Sequence, residues 1–161
     1  MMSPLVDFLT LAIASCFFLT YPLVRWTRAW GWRWTGAGWI GTAAGVLTCR
    51  ILPMVPVRCA LVLAGAWMVS VAISDRAEAL MGRKDDQRIV IDEWAGYLTC
   101  IAFMPRTLPT LLAAFVLFRI VDVWKPLGIR RLGKVPGGWG VVIDDVAAGL
   151  LVNIILRCMP I

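Results

Sequence analysis

Residues 57–74 read VRCALVLAGAWMVSVAIS, an apolar stretch whose one charged residue, Arg58, lies at its start. A helix that crosses a bilayer needs about 20 mostly apolar residues, so a stretch of this length and composition is typical of a membrane helix. Similar stretches recur along the chain, at 5–24, 36–52, 89–104, 108–124 and 141–158. The pattern predicts an all-α fold, a small helical membrane bundle of about six apolar segments that forms a single domain over residues 1–161.

The overall composition agrees with a membrane location. Hydrophobic residues make up 60% of the chain, whereas an ordinary soluble domain is about 45–50% apolar. The net charge of +6 could by itself indicate a nucleic-acid partner. In such an apolar chain, anionic lipid headgroups are the better explanation for the basic residues. We therefore expect anionic membrane lipids as partners and no nucleic acid.

The connections between the apolar stretches predict an orientation. Two are short proline-marked turns, and three are longer and polar, at 25–35, 75–88 and 125–140. If every stretch spans the membrane, the three long connections lie on one side, and they carry 11 of the 16 lysines and arginines. Eight of the nine tryptophans also lie in or beside them, as is typical of the headgroup layer. By the positive-inside rule this side faces the cytoplasm.

The absence of histidine excludes several classes of hydrolase. Ser-His-Asp enzymes, phosphatases with a histidine nucleophile and zinc sites built on imidazole all need that side chain. The five cysteines form no C-x-x-C pair and lie in apolar stretches, where a cysteine is usually a small buried hydrophobe.

Carboxylates are the chemically informative residues. Of ten acidic residues, nine fall on the predicted cytoplasmic side, and five of these lie in apolar context at similar depths on three helices: Asp92, Glu93, Asp122, Asp144 and Asp145. An ionised carboxylate in such a place is costly unless it is paired, hydrated or metal-bound. The simpler explanation is that each carboxylate is a solvated helix end or forms an ion pair with Arg88, Arg119 or Lys125. For Asp75, Glu78 and Asp86 this explanation and a functional role are equally good. For the five, we favour a shared Mg²⁺ site of hard oxygen ligands.

Two further features suggest phosphate binding. Arg119, Asp122 and Lys125 follow one another at i, i+3 and i+6, on one face of a helix end. Asp122 could then hold Mg²⁺ while Arg119 or Lys125 contacts phosphate. The run PGGWG at 136–140 precedes the Asp144-Asp145 pair, and glycines before a helix let backbone N–H groups approach an anion. We expect Gly137, Gly138 and Gly140 to face phosphate. The glycines of 36–45 are better explained by close helix packing.

Three motifs resemble the phosphatidylglycerophosphatase A family. They are KDDQRIVIDEWAG (84–96), FRIVDVWKP (118–126) and GGWGVVIDDVAAG (137–149), and the likeness extends from about Asp75 to the end of the chain. The family commonly has proline where this chain has Asp86. The resemblance implies a Mg²⁺-dependent, multi-pass enzyme of the bacterial inner membrane that hydrolyses phosphatidylglycerophosphate to phosphatidylglycerol and phosphate, with its active site facing the cytoplasm. Carried over by position, its functional residues are Glu78, Asp85, Asp92, Glu93, Arg119, Asp122, Lys125, Asp144 and Asp145.

The resulting hypothesis is metal-assisted hydrolysis of a phosphomonoester. The metal ligands would be Asp92, Glu93, Asp122, Asp144 and Asp145, with Glu78 and Asp85 as secondary candidates, and they would hold one or two Mg²⁺ ions. The catalytic candidates are Asp92, Glu93, Asp122 and Asp145, with Glu93 or Asp145 as general base. A small cation transporter or channel with an acidic pathway is the main alternative. A non-catalytic subunit that binds lipid through its basic loops is another.

Overall fold

A computed structural model describes residues 3–31 and 35–159. Over these residues the chain forms α-helices and short 3₁₀ turns, with no strand, which confirms the all-α prediction. Trp32, Arg33 and Trp34, which belong to the first long connection predicted from the sequence, lie outside the described residues. The helices are α1 (Pro4–Ala14), α2 (Thr20–Ala29), α3 (Ala37–Thr48), α4 (Pro56–Met81), α5 (Ile91–Ile101), α6 (Leu108–Trp124) and α7 (Gly138–Arg157), with 3₁₀ turns at Cys49–Ile51 and Ile129–Lys134.

Two helices of the described chain are long and apolar enough to cross a membrane, judged by length and composition alone. They are α4, with 26 residues, and α7, with 20. At 1.5 Å per residue they are about 39 and 30 Å long, against a hydrocarbon core of about 30 Å. Helix α4 presents apolar side chains such as Val57 and Leu61 at its surface, each about 70% exposed. Helix α7 is mostly covered by its neighbours.

The sequence predicts about six apolar segments without deciding whether each one spans, and the structure shows that several of them form helices shorter than a full crossing. The stretch 5–24 is broken after α1, because Cys16, Phe17 and Phe18 adopt positive φ angles of 51°, 56° and 63°. The Ser15 hydroxyl stabilises this reversal by donating to the Leu11 carbonyl and accepting from the Phe18 N–H. Helices α3 and α5 have 12 and 11 residues, which gives about 18 and 16 Å, too short for a full crossing.

Helix α5 lies at the centre of the bundle, and it is apolar because protein surrounds it. Every residue from Ala95 to Ile101 is buried, and Tyr97, Leu98 and Ile101 pack with Phe118 in the main core cluster. Its most extensive packing is against α7, with α3, α4 and α6 also in contact. Hydropathy alone does not distinguish this protein-buried helix from one buried in lipid.

Helices α5 and α7 cross at two glycines. A Cβ placed on Gly149 would overlap the Gly96 carbonyl, and one on Gly96 would lie 2.8 Å from the Asp145 carbonyl. Farther along, the Asn153 amide donates to three carbonyls at the end of α5, those of Thr99, Cys100 and Ala102. The carbonyls at a helix end lack intrahelical partners, so α7 both touches α5 and satisfies its last turn.

Candidate active site

The close crossing of α5 and α7 brings three carboxylates together. Asp92 and Glu93 lie in the first turn of α5, and Asp145 lies one turn before Gly149 on α7. One carboxylate oxygen from each of the three residues lies within 4.8 Å of the other two, and Asp92 and Asp145 are buried. Like charges so close together repel strongly in a partly dry site, so the three carboxylates either take up protons or are kept ionised by a nearby cation.

Asp122 and Arg119 on α6 form an ion pair beside the three carboxylates. Arg119 Nη1 lies 2.9 Å from Asp122 Oδ2, one helical turn away, and 3.8 Å from Glu93 Oε1. The arginine therefore joins α6 to the carboxylates of α5. Its side chain is only 11% exposed.

Lys125 joins α6 to α7. Its Nζ lies 3.0 Å from Asp145 Oδ1 and 3.5 Å from Asp122 Oδ1, and it donates a still closer hydrogen bond to Asp144. The residue caps α6 in the left-handed region, at φ 45°, a conformation uncommon for a side chain larger than glycine. Burial opposes the charged ammonium, but the three aspartates outweigh it and raise the pKa of Lys125. The lysine is therefore protonated at neutral pH.

The start of α3 forms one side of the site, although none of the three sequence motifs lies in this helix. The Thr42 hydroxyl accepts from Arg119 Nη1 at 3.4 Å, and the Arg119 guanidinium lies 5.7 Å from the Trp39 ring centroid. A Cβ on Gly38 would overlap both Glu93 and Arg119. Sequence reasoning assigned the glycines of 36–45 to helix packing alone. The signal that could have found this edge is the polar Thr35-Gly36 pair and Thr42 within an apolar stretch.

A cavity of about 370 Å³ opens beside these side chains. The start of α3, the loop before α5 and the end of α6 line it, including Asp85, Asp92, Glu93, Arg119 and Lys125. Acidic and basic groups therefore face a common space, large enough for a phosphate group and its first waters.

Two buried carboxylate oxygens at the site have no hydrogen-bond partner, Asp92 Oδ1 and Glu93 Oε2. Buried polar atoms are nearly always satisfied in native proteins, so oxygens left unpaired in an acidic cluster fit a cation site. With all five carboxylates ionised, the two cations Arg119 and Lys125 would leave three negative charges for a bound cation to balance. A hard divalent ion such as Mg²⁺ takes oxygen ligands of this kind. The residues present fit that metal, with Asp92, Glu93 and Asp145 as the group able to share one ion.

The secondary candidates Glu78 and Asp85 contact each other. A Glu78 carboxylate oxygen accepts from the Asp85 N–H, which holds Asp85 in the left-handed region at φ 49°. Asp85 is exposed and lines the cavity, whereas Glu78 stabilises the loop before α5 through its hydrogen bond to the Asp85 N–H. Asp86 is buried and forms ion pairs with Arg88 at 2.8 Å and Arg28 at 3.9 Å. Direct metal binding by Glu78 or Asp85 stays a prediction.

The glycines of 137–140 have a packing role. A Cβ on Gly138 would overlap the Val71 carbonyl, and one on Gly140 would overlap the Val135 carbonyl. The Gly138 N–H donates to Asp75 Oδ1 at 3.1 Å, and none of the three glycines lines the 370 Å³ cavity. The glycines let α7 begin close against α4. Phosphate binding by Gly137, Gly138 and Gly140 stays a prediction.

The fold and site define a class: an all-helical, apolar protein with a buried carboxylate cluster and two paired cations at a candidate metal centre. The family model described as Phosphatidylglycerophosphatase A matches residues 10–160. The chain belongs to the phosphatidylglycerophosphatase A family.

Individual relatives agree with this membership. A Haemophilus influenzae protein named Phosphatidylglycerophosphatase A is 31% identical over 121 residues, 73% of this chain and 74% of that protein. An Escherichia coli K12 protein of the same name is 42% identical over 73 residues, 44% of this chain and 42% of that protein. A Bacteroides thetaiotaomicron protein, provisionally named a phosphatidylinositol-3-phosphatase, is 39% identical over 90 residues, 54% of this chain and 53% of that protein. The last two matches thus span about half or less of those relatives. No solved structure matches the chain.

Proposed function

We propose that this protein is a Mg²⁺-dependent lipid phosphatase that hydrolyses phosphatidylglycerophosphate to phosphatidylglycerol and phosphate at the cytoplasmic face of the bacterial inner membrane. Membership of the phosphatidylglycerophosphatase A family carries the choice of substrate. The observation that supports the chemistry is the set of buried carboxylates, two with unpaired oxygens, beside Arg119 and Lys125.

Each side chain has a role that its position supports. Asp92, Glu93 and Asp145 would hold Mg²⁺, which when bound neutralises phosphate charge and makes a coordinated water more acidic. Arg119 lines the cavity and donates to oxygens, so it would bind the phosphate and stabilise charge that develops on it. Lys125 would keep the carboxylates of α6 and α7 at their spacing and add positive charge at the cavity wall.

The proton is transferred through a carboxylate. As a water oxygen forms a bond to phosphorus and the ester P–O bond breaks, Glu93 or Asp145 would accept the proton of that water. The departing glycerol oxygen then takes up a proton, so the products are the neutral alcohol of phosphatidylglycerol and inorganic phosphate. Asp122, which is bonded to Arg119 and lies 3.5 Å from Lys125, would hold both cations in place during the reaction.

The surface around the site suits an anionic lipid substrate. Exposed basic residues lie on α2, after α4 and in the 3₁₀ turn after α6: Arg25, Arg28, Arg83, Lys84, Arg130, Arg131 and Lys134. Clustered lysines and arginines attract anionic headgroups electrostatically. The acyl chains could stay in the bilayer while the phosphate reaches the cavity.

Phosphate release from purified protein tests the proposal. The chain in detergent should release phosphate from phosphatidylglycerophosphate with Mg²⁺ and not with EDTA, and the Asp92→Asn and Asp145→Asn variants should be inactive yet helical by circular dichroism. Phosphatidylinositol 3-phosphate, tested in parallel, should be the poorer substrate. Activity that persists in both variants would refute the assignment. Absence of release together with cation flux in liposomes would favour the transporter alternative instead.

A further inference from the structure

An apolar groove runs between α3 and α6 and has a volume of about 330 Å³. Its walls are side chains of both helices, including Ala43 and Leu47 from α3 and Leu108, Leu112 and Phe115 from α6. Leu47, Leu108 and Leu112 are each more than half exposed. The lining has no polar surface, so a hydrocarbon ligand is the chemistry it would accept.

The groove is connected to the charged cavity by a chain of contacting side chains. The Arg119 guanidinium lies over the Trp39 ring at 5.7 Å, and the Trp39 ring contacts the Phe115 ring at a centroid distance of 5.4 Å. Trp39 lines the charged cavity, and Phe115 lines the apolar groove. Phe115 also lies one turn from Arg119 along α6, so a single molecule could touch both.

A second apolar groove lies on the opposite side of α3, behind a close contact between α3 and the start of α5. It lies between α1, α3, α4 and α5 and has a volume of about 230 Å³. A Cβ on Gly41 would overlap the Val90 carbonyl, so α3 and the start of α5 are in contact between this groove and the charged side chains. At its other end Trp94 Nε1 donates to Thr48 Oγ1 at 2.7 Å. The α3/α6 groove, by contrast, is connected to Arg119 through the rings of Phe115 and Trp39.

We propose that the α3/α6 groove binds an acyl chain of the lipid whose phosphate lies at Arg119. The inference rests on the proposed function for the identity of the headgroup, but it assigns a separate binding surface. From Arg119 to Leu108, α6 extends about 16 Å at 1.5 Å per residue, a length that holds a substantial part of a fatty acyl chain. The site therefore selects diacyl lipid phosphates over water-soluble phosphate esters by burying hydrocarbon.

Filling the groove tests the inference. In Ala43→Trp, the indole would occupy the groove, and the KM for diacyl phosphatidylglycerophosphate should rise about tenfold, since at least two methylene groups lose burial. The kcat/KM for the deacylated, water-soluble analogue should stay unchanged. Leu112→Gln, which removes apolar surface without filling the groove, should act in the same direction. The matched control is Ala60→Trp, in a different apolar groove on α4, which should leave both substrates unaffected.

A second measurement needs no turnover. Binding of diacyl phosphatidic acid to the full chain in EDTA, measured by native mass spectrometry, should weaken in Ala43→Trp and stay normal in Ala60→Trp. If the wild type releases no phosphate yet shows this pattern, the proposed function fails and the groove is supported. Equal losses on diacyl and deacylated substrates would overturn the groove assignment. So would weakened lipid binding in Ala44→Trp, on the opposite side of α3, with normal binding in Ala43→Trp.

Discussion

Gly96 and Gly149 face each other where α5 crosses α7, with the Gly96 carbonyl in the space that a Gly149 side chain would need. Asp92 and Asp145 each precede one of these glycines by one helical turn. The backbone contact therefore determines how close the two carboxylates come. The acidic cluster depends on a pair of residues that carry no functional group.

Gly149→Ala should consequently damage both stability and activity. The added methyl group meets backbone, which cannot rotate away, so α5 and α7 must separate at a cost of about 1–3 kcal/mol. Thermal unfolding in detergent and phosphate release with Mg²⁺ measure the two effects. Gly65→Ala is the matched control, because nothing lies within 4 Å of its added Cβ on α4. A helix-interior alanine there should be neutral or stabilising by up to about 1 kcal/mol.

Metal binding should depend on the three central carboxylates. Asp145→Asn and Asp92→Asn should each weaken Mn²⁺ binding, followed by electron paramagnetic resonance, and lower kcat by at least about a thousandfold. Asp7→Asn is the control, since Asp7 pairs with Arg76 at 2.6 Å on the α1–α4 contact and lies outside the cavity. Unchanged Mn²⁺ affinity in both site variants would show that the ion binds elsewhere.

Arg119 should not be replaceable by lysine. Its Nη1 contacts Asp122, Glu93 and Thr42, and its planar guanidinium lies over the Trp39 ring. A single ammonium on a flexible stem does not combine the two. Arg119→Lys should lower kcat/KM by about a hundredfold. Thr42→Ser keeps the hydroxyl and should have a nearly normal kcat/KM. Thr42→Val loses the hydroxyl and should have a lower kcat/KM than Thr42→Ser. Wild-type activity in Arg119→Lys would mean that the residue serves only as a diffuse positive charge.

Asn153→Asp should destabilise the protein by about 1–3 kcal/mol, because it places a carboxylate against three carbonyl oxygens in place of a donor, a loss that pairing with Arg157 Nε only partly offsets. Chemical unfolding followed by tryptophan fluorescence measures the change. Asn153→Leu should cost less than Asn153→Asp, since it loses hydrogen bonds without adding a buried charge. The reverse order would show that the ion pair of the new carboxylate with Arg157 outweighs the lost hydrogen bonds.

The loop before α5 should respond to acid. Burial tends to raise the pKa of the Asp86 carboxyl, but the hydrogen bonds and charge of Arg88 and the charge of Arg28 outweigh it and lower that pKa. A lowered folded-state pKa stabilises the fold above the unfolded pKa, and the contribution is lost as the pH falls through the folded value. Asp86→Asn should therefore lower the thermal midpoint at pH 7, and the difference from wild type should shrink below about pH 4. If the difference in thermal midpoint stayed constant over this pH range, the ion pair between Asp86 and Arg88 would be contradicted.

The sequence alone identified the residues of the acidic cluster, because a carboxylate in an apolar stretch is costly unless something compensates it. It did not identify the side of the site that the start of α3 forms. Thr42, Gly38 and Trp39 reach Arg119 only because Gly41 lets α3 approach the backbone at Val90, a tertiary contact that no local pattern encodes.

Hydropathy also did not show which apolar segments are long enough to span the membrane, and the reason is physical. Apolar composition reports that a helix avoids water, and α5 avoids it by packing against four other helices. The break after α1 depends on three consecutive left-handed residues, of which two are phenylalanine. Such residues rarely adopt this conformation, so composition gave no sign of a turn there.

The two attachments between α5 and α7 join these helices at two separate points along α5. Asn153 holds the end of α5, and the facing glycines hold its middle. Of the helix pairs that border the charged cavity, α3 and α6 pack least extensively against each other. A lipid phosphate that approached from the bilayer between α3 and α6 would thus meet the least extensively packed border of the cavity, while Asp92 and Asp145 lie on the closely attached pair α5 and α7.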